Sequence, residues 1–130
     1  MFPINRKIIN TKAAPAAIGP YSQAIKFNNL IFVSGQIALN PDSNTLINGD
    51  ITIQTKQVIE NLKAILESAE SSLQKVLKVT IFITNMKDFD RVNEVYSEYF
   101  DMTLPARACV EVANLPKGAK VEMEAIAYGD

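Results

Sequence analysis

Two segments near the C-terminal end set ionisable side chains at alternating positions: Arg107-Ala108-Cys109-Val110-Glu111-Val112 and Val121-Glu122-Met123-Glu124-Ala125-Ile126-Ala127. In extended chain, alternate residues share a face. The first segment then puts Arg107, Cys109 and Glu111 on one side and Ala108, Val110 and Val112 on the other. The second sets Glu122 and Glu124 against Val121, Met123, Ala125 and Ala127. If helices cover the apolar sides, a guanidinium and carboxylates converge on the uncovered side. That set admits two readings. One is a solvated face laced by cross-strand ion pairs. The other is an anion site, in which the planar fork of Arg grips a carboxylate bidentately and a Glu positions water.

The remaining chemistry is bounded by what the chain lacks. It has 130 residues, no histidine and one cysteine, Cys109. Ser-His-Asp and Cys-His catalysis, imidazole bases and His metal ligands are therefore excluded. A single thiol forms neither an internal disulfide nor a thiolate cluster. Cys109 has no imidazole or adjacent Lys to generate a thiolate, so it reads as an inert small residue before it reads as a nucleophile. With 13 basic and 14 acidic residues, the chain has no general surplus of positive charge to displace phosphate counterions. Two further places stand out. Ser34-Gly35-Gln36, just past the hairpin strand, reads on its own as a turn. Tyr21, after Gly19-Pro20, is a core aromatic or a loop residue that reaches a ligand.

The elements that must position these residues follow from periodicity. The length suits one domain, 1–130. Ile8-Ile9 begins a first strand. Ala24–Phe27, Asn28-Asn29 and Leu30–Ser34 read as a β-hairpin, since Asn tolerates the positive φ such a turn needs. Asn40–Gly49 is a polar loop. From about Ile53 to Ala69, Val58, Leu62, Ile65 and Ala69 recur at helical spacing, widened by Ile59 and Leu66. Val76–Ile83 is apolar on both faces, as in a central strand. Asp88 is placed to cap a second helix with the stripe Phe89, Val92, Val95, Tyr96 and Tyr99, and Pro105 lies beyond its end. Tyr96 and Tyr99 are expected in the core. Arg107–Val112 and Lys120–Tyr128 are the last strands. The order ββ, α, β, α, ββ predicts an α+β sandwich with two helices on one face of the sheet.

No apolar run approaches the ~20 residues of a membrane span. Arg6, Lys7 and Lys12 precede the first acidic residue, Asp42, a basic and acid-poor start of the transit-peptide kind. Because a strand already begins at Ile8, the expectation is an untargeted cytoplasmic protein, with the mitochondrial matrix as the alternative.

Four blocks carry a resemblance. Ala14-Pro15-Ala16-Ala17-Ile18-Gly19-Pro20-Tyr21-Ser22-Gln23-Ala24, Val33-Ser34-Gly35-Gln36-Ile37, Pro105–Pro116 and Glu122–Ala127 resemble, in order and spacing, the signatures of the reactive-intermediate deaminase family (Rid, also called YjgF). The likeness spans about Ile8 to Ala127. It implies a chorismate-mutase-like fold, a homotrimer with ligand clefts between subunits, and hydrolysis of 2-enamino and 2-imino acids to 2-keto acids and ammonia. Such compounds are released by pyridoxal-phosphate dehydratases. The resemblance implies no cofactor and no metal. Arg107 matches the residue that grips the substrate carboxylate, and Glu122 the carboxylate that places the attacking water. Tyr21 and the Ser34-Gly35 pair match residues lining the cleft, Asn93 matches an asparagine near it, and Cys109 matches a position whose backbone faces the ligand. The segment between the second helix and Pro105 is shorter than in some bacterial members, which alters the cleft rim. Two other functions compete: a non-enzymatic small-ligand sensor using the same Arg cleft, and an RNA-directed translation inhibitor or ribonuclease. The second has neither a basic stripe nor a His pair to support it.

Overall fold

The structure, a computed structural model, describes residues 5–130. Six strands, β1 (Arg6–Ile9), β2 (Ala24–Phe27), β3 (Leu30–Gln36), β4 (Val76–Ile83), β5 (Ala106–Glu111) and β6 (Val121–Tyr128), form one mixed sheet in the order β1-β2-β3-β6-β4-β5. Only β4 and β5 pair in parallel; the other four pairings are antiparallel. Two helices, α1 (Ile51–Ser68) and α2 (Phe89–Phe100), pack on one face. This is the expected α+β sandwich, with the hairpin, both helices and every strand close to where periodicity places them.

The core lies between the helices and that face. Ile31 and Val33 of β3, Val79, Ile81 and Ile83 of β4, and Val121, Met123, Ala125 and Ala127 of β6 are buried there against Val58, Leu62, Ile65, Val92 and Val95. Asn28 takes φ 55° in the two-residue turn of the hairpin. α1 starts two residues before its expected first residue because Asp50 caps it: the carboxylate accepts from Ile53 N–H at 3.0 Å and satisfies a donor left over in the first turn. Asp88 sits at the expected cap of α2, but its side chain makes no capping bond and instead accepts from Arg91 at 3.0 Å. The capping side chain is Asn85, which accepts from Lys87 N–H in the 3-10 turn Met86–Asp88 leading into the helix.

Among the described residues no helix covers the second face of the sheet, and that face is more apolar than the strand patterns of β5 and β6 suggest. Phe32 and Val110 are 43% and 42% exposed there, beside Phe82, Ala108 and Ile126. Glu122, Glu124, Lys78 and Thr80 supply its polar positions. Among the described residues, no helix is long and apolar enough to cross a membrane.

One buried side chain fixes the Ala/Pro loop before the hairpin. Gln23, 2% exposed, accepts from Thr11 N–H at 2.7 Å and donates to the carbonyls of Thr11 at 3.0 Å and Pro15 at 2.8 Å. The loop has no ladder of its own, so these bonds stand in for secondary structure. Gln23→Leu leaves a buried amide and two carbonyls without partners. At ~1 kcal/mol per net hydrogen bond, and more for each orphaned group, it should destabilise the fold by about 2–4 kcal/mol. Urea unfolding followed by circular dichroism checks this.

Candidate active site

The parallel register sets Arg107 opposite Val79 and Cys109 opposite Ile81. Val79 and Ile81 are fully buried under the helices, and residues directly across a ladder share a face. Arg107 and Cys109 therefore belong to the helix-covered side. Glu122 is opposite Phe82 and Glu124 opposite Thr80, on the uncovered side. The expected convergence of Arg107 and Cys109 with Glu122 and Glu124 on one face does not occur within a chain. The reason is the position of β5 at the edge of the sheet. Its apolar residues Ala108 and Val110 look outward on the bare face, while Arg107 emerges where the helical layer ends.

At that rim the guanidinium is built in by α2. Its carbon lies 4.8 Å from the centroid of the Tyr96 ring and 5.6 Å from that of Phe89, and Nη1 donates to Asn93 Oδ1. Phe89, Asn93 and Tyr96 are four and three residues apart on α2, hence on one side of the helix. Among the described residues, the salt bridges join Lys75 to Asp130 and Arg91 to Asp88, and no carboxylate pairs with Arg107. The structural ion pair with Glu122 or Glu124 is thus absent. A cleft of about 510 Å³ opens beside the guanidinium, walled by Tyr96, Phe100, Leu104 and Pro105. Its rim is the short turn after α2, where Leu104 takes φ 47° and donates from N–H to Phe100 O at 3.0 Å. Cys109 is half-buried against the core. Burial pushes its thiol up, against the opposing effect of Arg107, so it stays a thiol at neutral pH and a poor nucleophile.

The second group of candidates surrounds Gly35. Between Val33, opposite Ala125, and Gln36, opposite Met123, two residues of β3 face a single residue of β6. Ser34-Gly35 is therefore a β-bulge, which returns Gln36 to the covered face three residues after Val33. A Cβ on Gly35 would stand 2.7 Å from Glu122 Oε2, so glycine here makes room for that carboxylate. Ser34 Oγ donates to Ser22 O at 2.6 Å and ties the bulge to the loop carrying Tyr21. Tyr21 and Gly35 line a second cleft, about 330 Å³, with Pro15, Gln36 and Lys117. Burial first, and then the neighbouring Glu124, raise the Glu122 carboxyl above its ordinary range.

The candidates thus form two sets within one chain: Asn93, Arg107 and Cys109 at the β5 edge, and Tyr21, Ser34, Gly35 and Glu122 at the bulge. Periodicity places Phe89 and Tyr96, which lie under Arg107, only on the apolar stripe of α2. A polar Asn93 on the same side of that stripe is the signal that the stripe does more than pack.

The family described as Endoribonuclease L-PSP matches residues 11–129. The chain belongs to this family, the Rid or YjgF proteins. Rid relatives are similar over almost their whole length. A RutC family protein of Pyrococcus abyssi is 56% identical, covering 95% of this chain and 97% of the relative. The 2-iminobutanoate/2-iminopropanoate deaminase of Mus musculus is 48% identical over 98% of this chain and 94% of its own. Escherichia coli TdcF with bound serine superposes with a TM-score of 0.90 at 43% identity, over 95% of this chain and 99% of that one. The chorismate-mutase-like Rid fold is therefore that of this chain.

A raised carboxyl binds its proton more tightly in the folded state than in the unfolded one. Its charged form consequently costs stability above the folded pKa, and that cost vanishes below the ordinary Glu value of about 4.3. Glu122→Gln should melt higher than the parent at about pH 7, and the two should converge as the pH falls to about 4. Thermal melts across that range check the sign.

Proposed function

We propose that this Rid protein hydrolyses 2-imino acids, and the 2-enamino acids that tautomerise to them, to 2-keto acids and ammonia. The observation that carries the reading is the guanidinium of Arg107: it is fixed by neutral partners, opens onto a cleft and pairs with no carboxylate among the described residues. A substrate carboxylate supplies the missing partner as a bidentate ion pair. The mouse relative at 48% identity, named for this deaminase activity, and TdcF, solved with a bound amino acid, support the same substrate class.

Because Arg107 and Glu122 occupy opposite sides of one sheet, the site needs Arg107 of one chain beside the Glu122 group of another. The uncovered apolar face gives a reason for such association, and a homotrimer with shared clefts is the assembly we propose. With its carboxylate gripped, the substrate presents a fixed imine carbon. Glu122, its carboxyl raised above the ordinary range by burial and by Glu124, accepts a proton from water as the water oxygen bonds to that carbon. The proton held by Glu122 passes to the carbinolamine nitrogen, the C–N bond breaks to release ammonia, and the hydroxyl gives up its proton as the C=O bond of the keto acid forms. Tyr21, Ser34 and Gly35 line the Glu122 side, Asn93 and the Cys109 backbone the Arg107 side. The family description as an endoribonuclease suggests RNA as a competing substrate, but a chain of net charge −1 without histidine has little with which to bind or cleave it.

Two measurements test this. Arg107→Lys keeps the charge but loses the fork. With a pyridoxal-phosphate dehydratase generating 2-aminocrotonate, it should lower kcat/KM roughly 30–150-fold, nearly as far as Arg107→Ala. Wild-type turnover in folded Arg107→Lys would remove Arg107 from the site. Sedimentation equilibrium at micromolar protein should give three times the 14.3 kDa chain mass, and a monomer would sink the shared cleft.

A further inference from the structure

We propose that Tyr96, backed by Phe89, is a positioning residue for Arg107, its ring acting as the platform that sets the guanidinium plane for the incoming carboxylate. The inference rests on the carboxylate-gripping role of Arg107 and adds a residue outside the four blocks that carry the resemblance.

Arg107 reaches the rim on a long, rotatable side chain, and its one side-chain hydrogen bond among the described residues, to Asn93, anchors a single nitrogen. One anchor leaves the plane free to turn about it. The Tyr96 centroid 4.8 Å away and the Phe89 centroid 5.6 Å away lie within cation–π range, and a ring attracts the flat face of a guanidinium. With its carbon over both rings and one nitrogen on Asn93, the guanidinium is held at three places, and these set the fork before a ligand arrives. All three groups are neutral, so the positive charge is held without being cancelled. A carboxylate in any of their places would compete with the substrate.

The tyrosine contributes its ring and not its hydroxyl. Tyr96 is 7% exposed, and its hydroxyl has no hydrogen-bond partner among the described residues. Burial pushes the phenol up, against the effect of Arg107, which keeps it uncharged beneath the guanidinium. Tyr96 packs at 4.5 Å between centroids against Phe100, a residue buried in the core. The platform is therefore anchored in the fold. Phenylalanine should serve in its place, whereas leucine keeps the bulk and loses the π-face.

The test compares the wild type with Tyr96→Phe, Tyr96→Leu and Phe89→Leu on two readouts. The first is the NMR signal of the Arg107 guanidinium N–H protons, assigned by its loss in Arg107→Lys. The ring should shift it upfield in the wild type and in Tyr96→Phe, and the shift should collapse in Tyr96→Leu. The second is affinity for 2-oxobutanoate, the plain keto acid, with KM and kcat for enzymatically generated 2-aminocrotonate. Tyr96→Leu should weaken binding and raise KM roughly 3- to 30-fold, the range that a cation–π contact spans, with kcat less affected, while Tyr96→Phe restores both. Phe89→Leu, at the more exposed ring, should act in the same direction and less strongly, and it carries the test if Tyr96→Leu does not fold. An unchanged KM and affinity in a folded leucine variant would overturn the proposal. So would a phenylalanine variant as impaired as leucine, which would assign the role to the hydroxyl. If instead the wild type bound no 2-oxobutanoate and Arg107→Lys turned over normally, the carboxylate reading itself would fail. The ring-current readout would still decide whether Tyr96 orients the guanidinium.

Discussion

The parallel pairing of β5 with β4 is the constraint on which the site depends. Parallel neighbours need a crossover long enough to return the chain to its starting end. Here that crossover contains α2. The element that makes the pairing possible is thus also the one lying across the face where Arg107 emerges, and it supplies Phe89, Asn93 and Tyr96 in one stroke. A slip of β5 by one residue would turn every side chain to the other face. Arg107 would leave the aromatic rings for the bare side of the sheet, and Ala108 would take its place over α2. The buried row of Val79, Ile81 and Ile83, with Cys109 packed alongside, holds the register against such a slip.

Most of this architecture is legible in the amino-acid sequence because it is written in periodicity. The 3.6-residue stripe of α1, the alternation in β6 and the Asn28-Asn29 turn each specify a local geometry that tertiary packing then confirms. The face of β5 is not legible in the same way. Alternation there separates Ala108 and Val110 from Arg107 and Cys109 correctly, but it does not say which set the helices cover. Equating the apolar set with the covered set holds for a sheet with one wet side, and it fails here because the uncovered side of this sheet is itself apolar. Asp88 stands at the cap position of α2 as the sequence predicts, but its carboxylate caps nothing because Arg91, one turn on, offers it a charged partner. Tyr96 lies in the core, as its place on the α2 stripe predicts. Its second surface, under Arg107, depends on a contact between segments eleven residues apart that no local pattern encodes.

The two sets of candidate residues meet the demands of stability and chemistry differently. Around Arg107 the charge stays near solvent, and neutral groups orient it, so little desolvation is imposed on it. Around Glu122 the carboxylate is half-buried beside a second acid and stands over a glycine that leaves it room. Groups held in an unfavourable charge state are a common mark of sites whose chemistry needs a proton to move. The bulge at Ser34-Gly35 joins these features, because it bends β3 where the loop bearing Tyr21 must be reached and brings a residue without a side chain up to Glu122.

Gln23 has a consequence for how this loop can be observed. The Thr11 amide belongs to no helix or strand, and its partner is the Gln23 side chain. Its exchange with solvent deuterium therefore requires only that Gln23 let go, not that the sheet unfold. Amides in the ladder of β3 and β6 exchange through larger openings. The difference between the two exchange rates is a direct gauge of how often the wall carrying Tyr21 detaches from an intact sheet, read at a single backbone position without a ligand or a label.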